Sequence, residues 1–524
     1  MQTRVFEIYD SANKDISAVC EILKNGGVVA LPTETVYGLA ANAQNSDAVQ
    51  KIFAAKGRPA DNPLIVHIAK KEELAPLVKE IPNAAQRCID AFWPGPFTVI
   101  LPKTDAIPSI TSGGLDTVAV RMPSNPVINA VISGCGFPLA APSANISGKP
   151  SPTKASHVIE DMQGKIEGIV KSYDCAVGVE STVVSFLNGE VRLLRPGGIT
   201  LEMLQKIVPD IIVDEGVLHT VKKALSPGMK YKHYAPNCRV TLVEGTSSAF
   251  CDFANKSGLF AVCLKEDEKL LNNNYLSLGE KPEAALFSSL RKLDELGIKR
   301  AICHAPNRRG TGLAVYNRML RACGFEVIKL PFVIGVTGPS GAGKTSLSLA
   351  AQNLGITAID CDRFAKDIVD GLKTELCAAF GDDIYKDGKL DRAALSDRAF
   401  ANAENTEKLN KITLPHILSA LKQKIKDIDG GFVLLDGATL IESGGADICN
   451  RLIAVLSNKE YRLNRFSKRD NLTTAAAQKR LSAAKDDSFY KSAATDVIEN
   501  NTSLNVFLQN CQELLQNIIS FKER

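Results

Sequence analysis

The sequence predicts an α/β protein of three successive units, and three observations lead to that prediction. Its 524 residues correspond to about three domains at the usual ~100–200 residues each. Short β-branched runs alternate with helical patterns, and polar turns follow many of these runs. A strand, a glycine-rich loop and a helix follow one another at residues 333–353, which is how a parallel-sheet nucleotide-binding fold begins. We therefore expect α/β structure both before and after that loop.

Composition narrows the class of protein. Apolar residues make up 45%, enough for ordinary cores, and no apolar run approaches the ~20 residues of a membrane span. Residues 1–15 show neither a signal nor a transit pattern. The net charge of +4 is too small to argue for nucleic acid by itself. The 13 cysteines never form C-x-x-C, so we expect no zinc site or disulfide framework but reduced thiols in a cytoplasmic enzyme without a membrane partner.

The strands and helices of the first unit are predicted from its apolar runs and from the glycines and prolines that interrupt them. A β-branched strand at 28–31 ends in the polar turn 32–38, and a helix at 47–55 leads into the basic loop 56–63. That loop, fixed by two prolines, feeds a strand at 64–68. The spacings permit antiparallel as well as parallel pairs. Further strands are predicted at 97–101, 118–121, 183–186 and 191–194, and helices at 72–78, 84–92 and 126–132.

Polar residues of this unit concentrate at strand ends and turns, where α/β folds bind ligands. Lys56 and Arg58 stand two residues apart on one loop and can grip a phosphate or carboxylate from two sides. Each polar residue, taken singly, is better explained as part of a solvated loop or as a helix cap than as a ligand contact. No triad, carboxylate pair or metal cluster stands out, so the residues themselves predict only a site for an anionic ligand. The other candidates are His67, Arg121, 143–145, 180–182 and 195–198.

Three motifs carry a family resemblance, namely LPTETVYGL at 31–39, KGRPxxNPLIVH at 56–67 and APSANxSG at 141–148. With FWPGPFT at 92–98 and TVAVRMP at 117–123, residues 26–198 resemble the YrdC-like threonylcarbamoyl-AMP synthases of tRNA modification. The resemblance implies a twisted mixed sheet. It also implies synthesis of L-threonylcarbamoyl-adenylate from L-threonine, bicarbonate and ATP, with release of pyrophosphate. Other proteins would then transfer the group to the tRNA adenosine beside the anticodon.

The resemblance also assigns roles to residues. Lys56 and Arg58 would stabilise the charge that develops as pyrophosphate leaves, and they are the expected catalytic residues. Arg121 is a natural partner for the threonine carboxylate. No general base is identified. The implied threonine-binding residues are Thr35, His67, Arg121 and Ser181, and the implied ATP-binding residues are Lys56, Arg58, Asn62, Thr117, Ser143, Asn145, Ser151, Arg195 and Tyr234.

A linker and a second, smaller unit follow. The linker at 226–236 contains two prolines and a glycine and reads either as a plain exposed linker or as a packed segment. The long, two-domain synthases carry it as a flap over the active site, which implies that Tyr234 approaches the nucleotide. At 237–330 the resemblance continues as a Rossmann-like accessory domain, with strands at 240–243, 259–263, 300–304 and 327–330 and a helix at 283–296. No chemistry is predicted there.

The stretch Gly338–Thr345 fits the P-loop pattern G-x-x-x-x-G-K-[ST] between a strand and a helix, although a plain glycine-rich turn is the simpler alternative. Its backbone N–H groups would hold phosphates, Lys344 would reach the outer phosphates, and Thr345 would bind Mg²⁺. The predicted ATP contacts are Gly338, Ser340, Gly341, Ala342, Gly343, Lys344 and Thr345.

Charged residues accompany this motif. Asp360, Asp362 and Asp436 follow predicted strands, where acids either hold Mg²⁺, accept a hydroxyl proton or cap a helix. A basic stripe at 462–469 reads as a solvated face or as the cationic lid of a kinase.

Residues 331–524 resemble the dephospho-CoA kinases, through motifs such as the Asp360–Asp362 pair, DGxLDR at 387–392 and the Asp436 strand. The resemblance implies transfer of phosphate from ATP with Mg²⁺ to the ribose hydroxyl of dephospho-CoA. Asp362 would be the base, Thr345 and Asp436 would hold the metal, and Arg465 and Arg469 would form the lid.

Departures from the family leave the acceptor of the kinase open. The P-loop reads TGPSGAG at 337–343, Leu414 replaces a customary histidine, and ATL at 438–440 replaces PLL. The alternatives are a non-catalytic nucleotide sensor or a nucleoside kinase at the C-terminus, and an RNA-binding module at the N-terminus. We expect a bifunctional enzyme divided at 1–225, 226–236, 237–330 and 331–524.

Overall fold

The computed structural model describes residues 2–219, 234–272, 274–386, 388–469 and 485–521. Most of the predicted linker, residues 226–233, therefore lies outside the described residues. The chain divides into two compact units. The first comprises Met1–Val243, Phe260–Lys269 and Asn274–Val327, and the second comprises Glu244–Leu259, Leu270–Asn273 and Ile328–Arg524.

The first unit is built on a mixed sheet of eleven strands in the order β1-β8-β2-β3-β7-β4-β6-β5-β9-β10-β11, which confirms the predicted fold class. Its strands are β1 (Arg4–Glu7), β2 (Val29–Leu31), β3 (Gly38–Asn42), β4 (Ile65–His67), β5 (Phe97–Pro102), β6 (Thr117–Arg121), β7 (Leu139–Ala140), β8 (Gly168–Lys171), β9 (Thr182–Leu187), β10 (Glu190–Arg195) and β11 (Ile212–Val213). Its helices are α1 (Ile16–Lys24), α2 (Ser46–Lys56), α3 (Asn83–Phe92), α4 (Pro126–Cys135), α5 (Ala155–Met162) and α6 (Leu201–Ile207).

Both faces of this sheet are covered, which explains the continuous apolar runs in its strands. Alternate residues of β2 enter different cores: Ala30 packs in one cluster, while Val29 and Leu31 pack in the other. The helix predicted at 72–78 is a 3₁₀-helix, Lys71–Leu77, which contains Pro76. Proline lacks the N–H that a regular α-helix needs at that point, so the segment adopts the tighter turn.

The ends of α2 decide where the basic loop begins. The Asn45 side chain accepts a hydrogen bond from the N–H of Ala48 and starts the helix. Gly57 ends it with φ 62°, in the left-handed region where glycine has no Cβ penalty. Lys56 is therefore the last helical residue, and Arg58 follows on the loop.

The accessory region supplies the rest of the first unit. Strands β12 (Arg239–Glu244), β13 (Phe260–Cys263), β14 (Tyr275–Ser277) and β15 (Arg300–His304) form parallel pairs in the order β14-β13-β15-β12. Helices α8 (Pro282–Glu295) and α9 (Gly312–Ala322) belong to this unit. Strand β16 (Val327–Lys329) begins at Val327, the last residue of the first unit. Helix α7 (Ser247–Ser257) is part of the second unit.

The second unit contains a parallel sheet in the order β18-β21-β17-β22-β23, as expected for a P-loop fold. Its strands are β17 (Phe332–Thr337), β18 (Thr357–Asp360), β19 (Tyr385–Lys386), β20 (Lys389–Leu390), β21 (Phe432–Asp436), β22 (Arg451–Leu456) and β23 (Asp496–Glu499). Its further helices are α10 (Lys344–Asn353), α11 (Cys361–Asp370), α12 (Lys373–Phe380), α13 (Arg392–Ala399), α14 (Ala403–Lys426), α15 (Lys459–Arg469), α16 (Asp487–Ala493) and α17 (Leu504–Ile519). No helix in the described part of the chain has the length and apolar character that a membrane span requires.

Candidate active sites

A cavity lies in the first unit, at the ends of β4 and β6, and most of the predicted synthase residues line it. These residues are far apart in the sequence, and the sheet brings them together because neighbouring strands end at the same edge. The predicted residues that line the cavity are Thr35, Lys56, Arg58, His67, Arg121, Ser143, Asn145, Ser181, Arg195 and Tyr234.

Three predicted ATP contacts are not among the residues that line this cavity. Asn62 is buried beside Pro63, which does line it. Ser151 is buried and donates a hydrogen bond to the cavity-lining Glu180. Thr117 begins β6, whereas Arg121 ends it, and Thr117 lines a separate cavity. The two ends of this five-residue strand are roughly 13 Å apart, and the predicted contact of Thr117 with ATP stays a prediction.

Lys56 is held by the loop that follows β7. Its Nζ donates to the main-chain oxygens of Ser143 and, at 2.7 Å, of Asn145. The side chain of Lys56 is buried, and this burial together with the nearby Arg58 lowers its pKa well below the ordinary value. Because the main-chain oxygens of Ser143 and Asn145 accept hydrogen bonds from Nζ, Lys56 anchors the 143–145 loop at the cavity.

Arg58 presents donors to the cavity. Its Nη2 donates to the carbonyl of Pro63 at 3.3 Å, while its Nε is buried without a hydrogen-bond partner among the described residues. Burial lowers the pKa of Arg58 to about 10, which still leaves the guanidinium charged at neutral pH. A buried, unused N–H is costly unless a ligand accepts from it. Arg58 is therefore suited to an anion.

Arg121 is fixed by three contacts at the end of β6. Its Nη1 donates to Thr35 Oγ1 at 2.9 Å, its Nε donates to the carbonyl of Gly95 at 3.2 Å, and its Nη2 lies 2.8 Å from Glu34 Oε1. Glu34 was not predicted as a site residue. Its signal in the sequence is a carboxylate within the buried turn that contains the predicted Thr35. The arrangement orients the guanidinium in advance of a carboxylate ligand.

His67 lies on β4, opposite Arg121 in the parallel register of β4 and β6. Burial, reinforced by the charge of Arg121, lowers the pKa of His67 to about 3. One ring nitrogen, Nδ1, lies 3.1 Å from the carbonyl oxygen of Ile65. His67 is therefore neutral at physiological pH and adds no charge to the site.

Ser181 and Arg195 form another side of the cavity. Arg195 donates from Nη2 to Ser181 Oγ at 3.1 Å and from Nε to the Ser181 carbonyl at 3.1 Å. Ser181 Oγ also shares a 2.8 Å hydrogen bond with Thr98 Oγ1. Burial lowers the pKa of Arg195 to about 10, so it too stays charged at neutral pH. With Arg58 and Arg121, it gives the cavity three arginines, a charge distribution that suits anionic ligands.

Sequence reasoning named the 180–182 run but gave Glu180 no role, and it missed Arg318. Glu180 Oε1 accepts from Ser151 at 2.6 Å, and Glu180 Oε2 accepts from the Nε of Arg318 at 2.6 Å. Arg318 stands on α9 of the accessory region, between Asn317 and Met319, and α9 is buried from Leu313 to Ala322. An arginine inside an otherwise buried helical face is the only signal of its role that the sequence contains.

The P-loop of the second unit joins β17 to α10 as predicted. Gly338 has φ 137° and Gly343 has φ 114°. A Cβ at Gly338 would stand 2.2 Å from the carbonyl oxygen of Val455, and a Cβ at Gly343 would stand 2.2 Å from Asn500 Nδ2, so glycine is required at both positions. Lys344 donates to the carbonyl of Gly338 at 2.9 Å.

The acids predicted for catalysis meet at the carboxyl ends of β18 and β21. Asp360 and Asp436 are register partners on these parallel strands. The Asp360 side chain accepts from the N–H of Arg363 at 2.9 Å and caps α11, while Asp362 is exposed in the first turn of that helix. The helix-cap alternative therefore fits Asp360, and Asp362 remains available for another role.

Asp436 has features of a metal ligand. Burial raises the pKa of Asp436. The hydrogen bond that Ser348 Oγ donates to its Oδ2 at 2.7 Å and the charge of Lys344 both lower this pKa, but burial has the larger effect. A cation would offset this burial, and oxygen ligands are those that Mg²⁺ prefers. Thr345 is exposed on the first turn of α10. Within the described ranges, no group of three or more His, Cys, Asp or Glu side chains forms a metal cluster by itself.

Arg465, predicted as part of the kinase lid, contacts the P-loop through main-chain oxygens. It donates from Nη1 to the carbonyls of Gly341 at 3.2 Å and Ala342 at 3.3 Å, and from Nη2 to Asn500 Oδ1 at 2.8 Å. Arg462 donates to the carbonyl of Ser340 at 3.1 Å. The side chain of Arg469 lies outside the described residues, so its predicted role stays a prediction.

Comparison with known proteins decides the family. Residues 21–197 match the Sua5–YciO–YrdC model, described as "Telomere recombination", and residues 199–324 match "Threonylcarbamoyl-AMP synthase, C-terminal domain". The threonylcarbamoyl-AMP synthase of Pyrococcus abyssi is 44% identical over 321 residues, which cover 59% of this chain and 94% of that protein. The chain belongs to the threonylcarbamoyl-AMP synthase family. The Bacillus subtilis synthase is 44% identical over 326 residues, covering 60% of this chain and 94% of its own.

Structural comparison agrees with this assignment. The crystal structure of P. abyssi Sua5 complexed with L-threonine matches this synthase with 41% identity and a TM-score of 0.58, over 63% of this chain and 99% of that chain. Residues 332–505 match the family model "Dephospho-CoA kinase". The chain is thus a synthase fused to a dephospho-CoA kinase domain, as the motifs indicated.

Proposed function

We propose that the first unit forms L-threonylcarbamoyl-adenylate from L-threonine, bicarbonate and ATP, with release of pyrophosphate. One observation carries the proposal: Arg121, pre-oriented by Thr35 and Glu34, and Arg58, with its unused buried Nε, line the same cavity. This fits a molecule that carries a carboxylate together with one that carries phosphates. The threonine bound in the P. abyssi crystal structure supports the same assignment.

The residues act mainly by positioning and electrostatics. Arg121 takes the threonine carboxylate, and Ser181 and Thr35 stand beside it in the cavity wall. Arg58 and Arg195 hold ATP, with Lys56 fixing the 143–145 loop between them. When the carbamate oxygen of N-carboxythreonine bonds to the α-phosphorus, the bond to pyrophosphate breaks and negative charge grows on the leaving group. Cations already held in place stabilise that charge without reorganisation.

The test is direct. The purified full chain receives ATP, L-threonine and bicarbonate, and pyrophosphate and the adenylate product are measured. We expect pyrophosphate release that depends on all three substrates. Release without dependence on threonine, or salt-dependent binding of tRNA without any release, would instead support an RNA-binding module.

We further propose that the second unit transfers the terminal phosphate of ATP to the ribose hydroxyl of dephospho-CoA. The match to the kinase family and the intact P-loop support it. Thr345 and Asp436 would hold Mg²⁺, which supplies charge neutralisation at the phosphates when bound, and Asp362 would accept the hydroxyl proton. Comparing dephospho-CoA with nucleosides as acceptors separates this activity from that of a nucleoside kinase. Hydrolysis or binding of ATP without any acceptor product would indicate a nucleotide sensor.

We propose that both activities operate in the cytoplasm. None of the described cysteines is in a disulfide, which is consistent with a reducing compartment.

The adenylate is a reactive mixed anhydride, so a protein that transfers the threonylcarbamoyl group to tRNA is the partner that its chemistry requires.

A further inference from the structure

Arg318 connects the accessory region to the synthase cavity. It stands on α9, has 0% of its side chain exposed and is one of the largest fully buried side chains of the described protein. Its Nε donates to Glu180 Oε2 at 2.6 Å. Glu180 lines the cavity, and its other carboxylate oxygen accepts from Ser151 at 2.6 Å. A residue that lies 138 positions away in the sequence therefore holds a wall of the site.

Further contacts fix the guanidinium of Arg318. Its Nη1 donates to Asn317 Oδ1 at 2.7 Å, and Asn317 Nδ2 donates to the carbonyl of Val217 at 2.6 Å. The guanidinium carbon lies 5.5 Å from the centre of the Tyr234 ring, within the range of a cation–π contact. Tyr234 and Glu180 both line the cavity, but Arg318 does not. Arg318 thus touches two residues of the cavity wall from behind.

The charge balance behind the cavity wall depends on the ion pair between Arg318 and Glu180. Burial raises the pKa of Glu180, but Arg318 and Arg195, with the Ser151 hydroxyl, outweigh it and hold the pKa below its ordinary value. The charge of Glu180 in turn raises the pKa of Lys56 and of Tyr234, which are titratable groups of the cavity wall. Removing one member of a buried ion pair leaves the other uncompensated, whereas removing both does not.

We propose that Arg318 is a positioning residue of the synthase: it fixes Glu180 and Tyr234 in the cavity wall, so that productive nucleotide binding requires the accessory region. This inference rests on the proposed synthase function. It assigns the accessory region a part in the reaction that its own sequence does not reveal. Arg318 acts through its neighbours, because it does not line the cavity and is not placed to touch substrate.

A second buried ion pair supplies a matched control. Arg291 of α8, 5% exposed, donates to Asp161 Oδ2 at 2.6 Å and to the carbonyl of Pro150 at 2.7 Å. This pair joins the accessory region to the synthase as Arg318–Glu180 does, with the same bond length. Neither Arg291 nor Asp161 lines the cavity. Asp161 also accepts from the cavity-lining Lys149 at 3.3 Å, but Arg291 itself pairs with no described residue of the cavity wall, so Arg291→Met reproduces the loss of a buried arginine one contact further from the cavity.

The experiment compares Arg318→Met, Arg318→Lys, Arg291→Met and the double variant Arg318→Met/Glu180→Gln in the full chain. Threonine-dependent pyrophosphate release gives kcat and the KM values for ATP and threonine, and thermal unfolding reports stability. We expect Arg318→Met to raise the KM for ATP about tenfold or more, with a smaller change for threonine. We expect the KM for ATP to stay raised in Arg318→Lys, because an ammonium cannot reproduce the guanidinium contacts. Arg291→Met lowers the unfolding temperature but keeps both KM values.

Two further readouts separate positioning from a general structural role. With Arg318 removed, the pKa of Glu180 rises, so the acid limb of kcat/KM moves to higher pH in Arg318→Met but not in Arg291→Met. The double variant removes both charges, so it regains stability while its KM for ATP stays raised. The inference is overturned if Arg318→Met and Arg291→Met have the same KM values and acid limb, or if the double variant regains wild-type KM. Absence of threonine-dependent release in the wild-type chain would refute the proposed function instead.

Discussion

The Nζ of Lys56 lies 2.7 Å from the main-chain oxygen of Asn145, and this contact joins the last turn of α2 to the loop after β7. Lys56→Met removes the side chain that anchors this loop. We expect kcat/KM for pyrophosphate release to fall about a hundredfold or more. Phosphate transfer by the second unit should continue, because its ATP site is built from other residues.

Lys51→Met is the matched control for this prediction. Lys51 is exposed on the same helix and donates to the carbonyl of Gly26 at 2.7 Å. Its replacement should leave pyrophosphate release unchanged. Equal losses in the two variants would show that α2 matters only for folding.

Arg121→Lys tests the threonine end of the cavity. A lysine keeps the positive charge but cannot contact Thr35, Glu34 and a carboxylate together. We expect the KM for threonine to rise by about tenfold to a hundredfold while the KM for ATP changes little. Steady-state kinetics with each substrate varied will measure this. Arg192→Lys, at a half-buried arginine of β10, is the control, and an unchanged KM for threonine in Arg121→Lys would remove this residue from the threonine site.

Lys344→Ala tests whether the two ATP sites are separate. Loss of the P-loop lysine should lower phosphate transfer about a hundredfold or more, because no other residue of this loop carries its charge to the outer phosphates. Threonine-dependent pyrophosphate release should persist. Loss of both activities in this variant, with the chain still folded by circular dichroism, would contradict the two-site interpretation.

Asp362→Asn tests the proposed kinase base. We expect kcat for phosphate transfer to fall by about 10²–10⁴-fold, the usual contribution of a general base. Asp360→Asn should have a smaller effect, since asparagine caps a helix as well as aspartate does. Asp367→Asn, exposed on the same helix, is the control. If Asp360→Asn is the damaging change and Asp362→Asn is mild, the base has been assigned to the wrong residue.

His67 provides a prediction about pH. Its folded-state pKa of about 3 lies below the ordinary value of 6.5, so the folded protein binds fewer protons there than the unfolded chain. Its contribution to stability is complete above about pH 6.5 and declines as the pH falls toward 3. In NMR spectra, the His67 imidazole signal, assigned by its absence in His67→Gln, should not shift between about pH 8 and 5. A titration midpoint near the ordinary value would contradict the buried, neutral state.

Much of the lining of the synthase cavity could be predicted because its motifs are local. The runs around Thr35, Lys56 and Ser143 each combine a strand end with a turn, and such patterns are visible in a short window. Contacts between residues that are distant in the sequence are not visible in such a window. Glu34 is adjacent to the predicted Thr35 in the sequence, but only the structure shows that it forms an ion pair with Arg121. In the second unit, Asn500 supports the P-loop at Ala342, 158 positions away, and nothing in its local sequence indicates that contact.

Local geometry changes one predicted element. The helix expected at 72–78 is a 3₁₀-helix because Pro76 has no N–H to donate. Thr117 begins β6, whereas Arg121, at the other end of this strand, lines the cavity. The role of Thr117 as an ATP contact stays a prediction.

The sequence alone determined the α/β class, the P-loop and most of the cations that line the synthase cavity, since these depend on periodicity, glycine spacing and residue chemistry over short distances. Only the tertiary structure decided which carboxylates pair with the arginines at the site, and it alone identified Arg318. It pairs Arg121 with Glu34 and Arg318 with Glu180, because strand order and helix packing, not sequence spacing, set the distance between charged groups. The part of the accessory region in the synthase cavity follows from that packing.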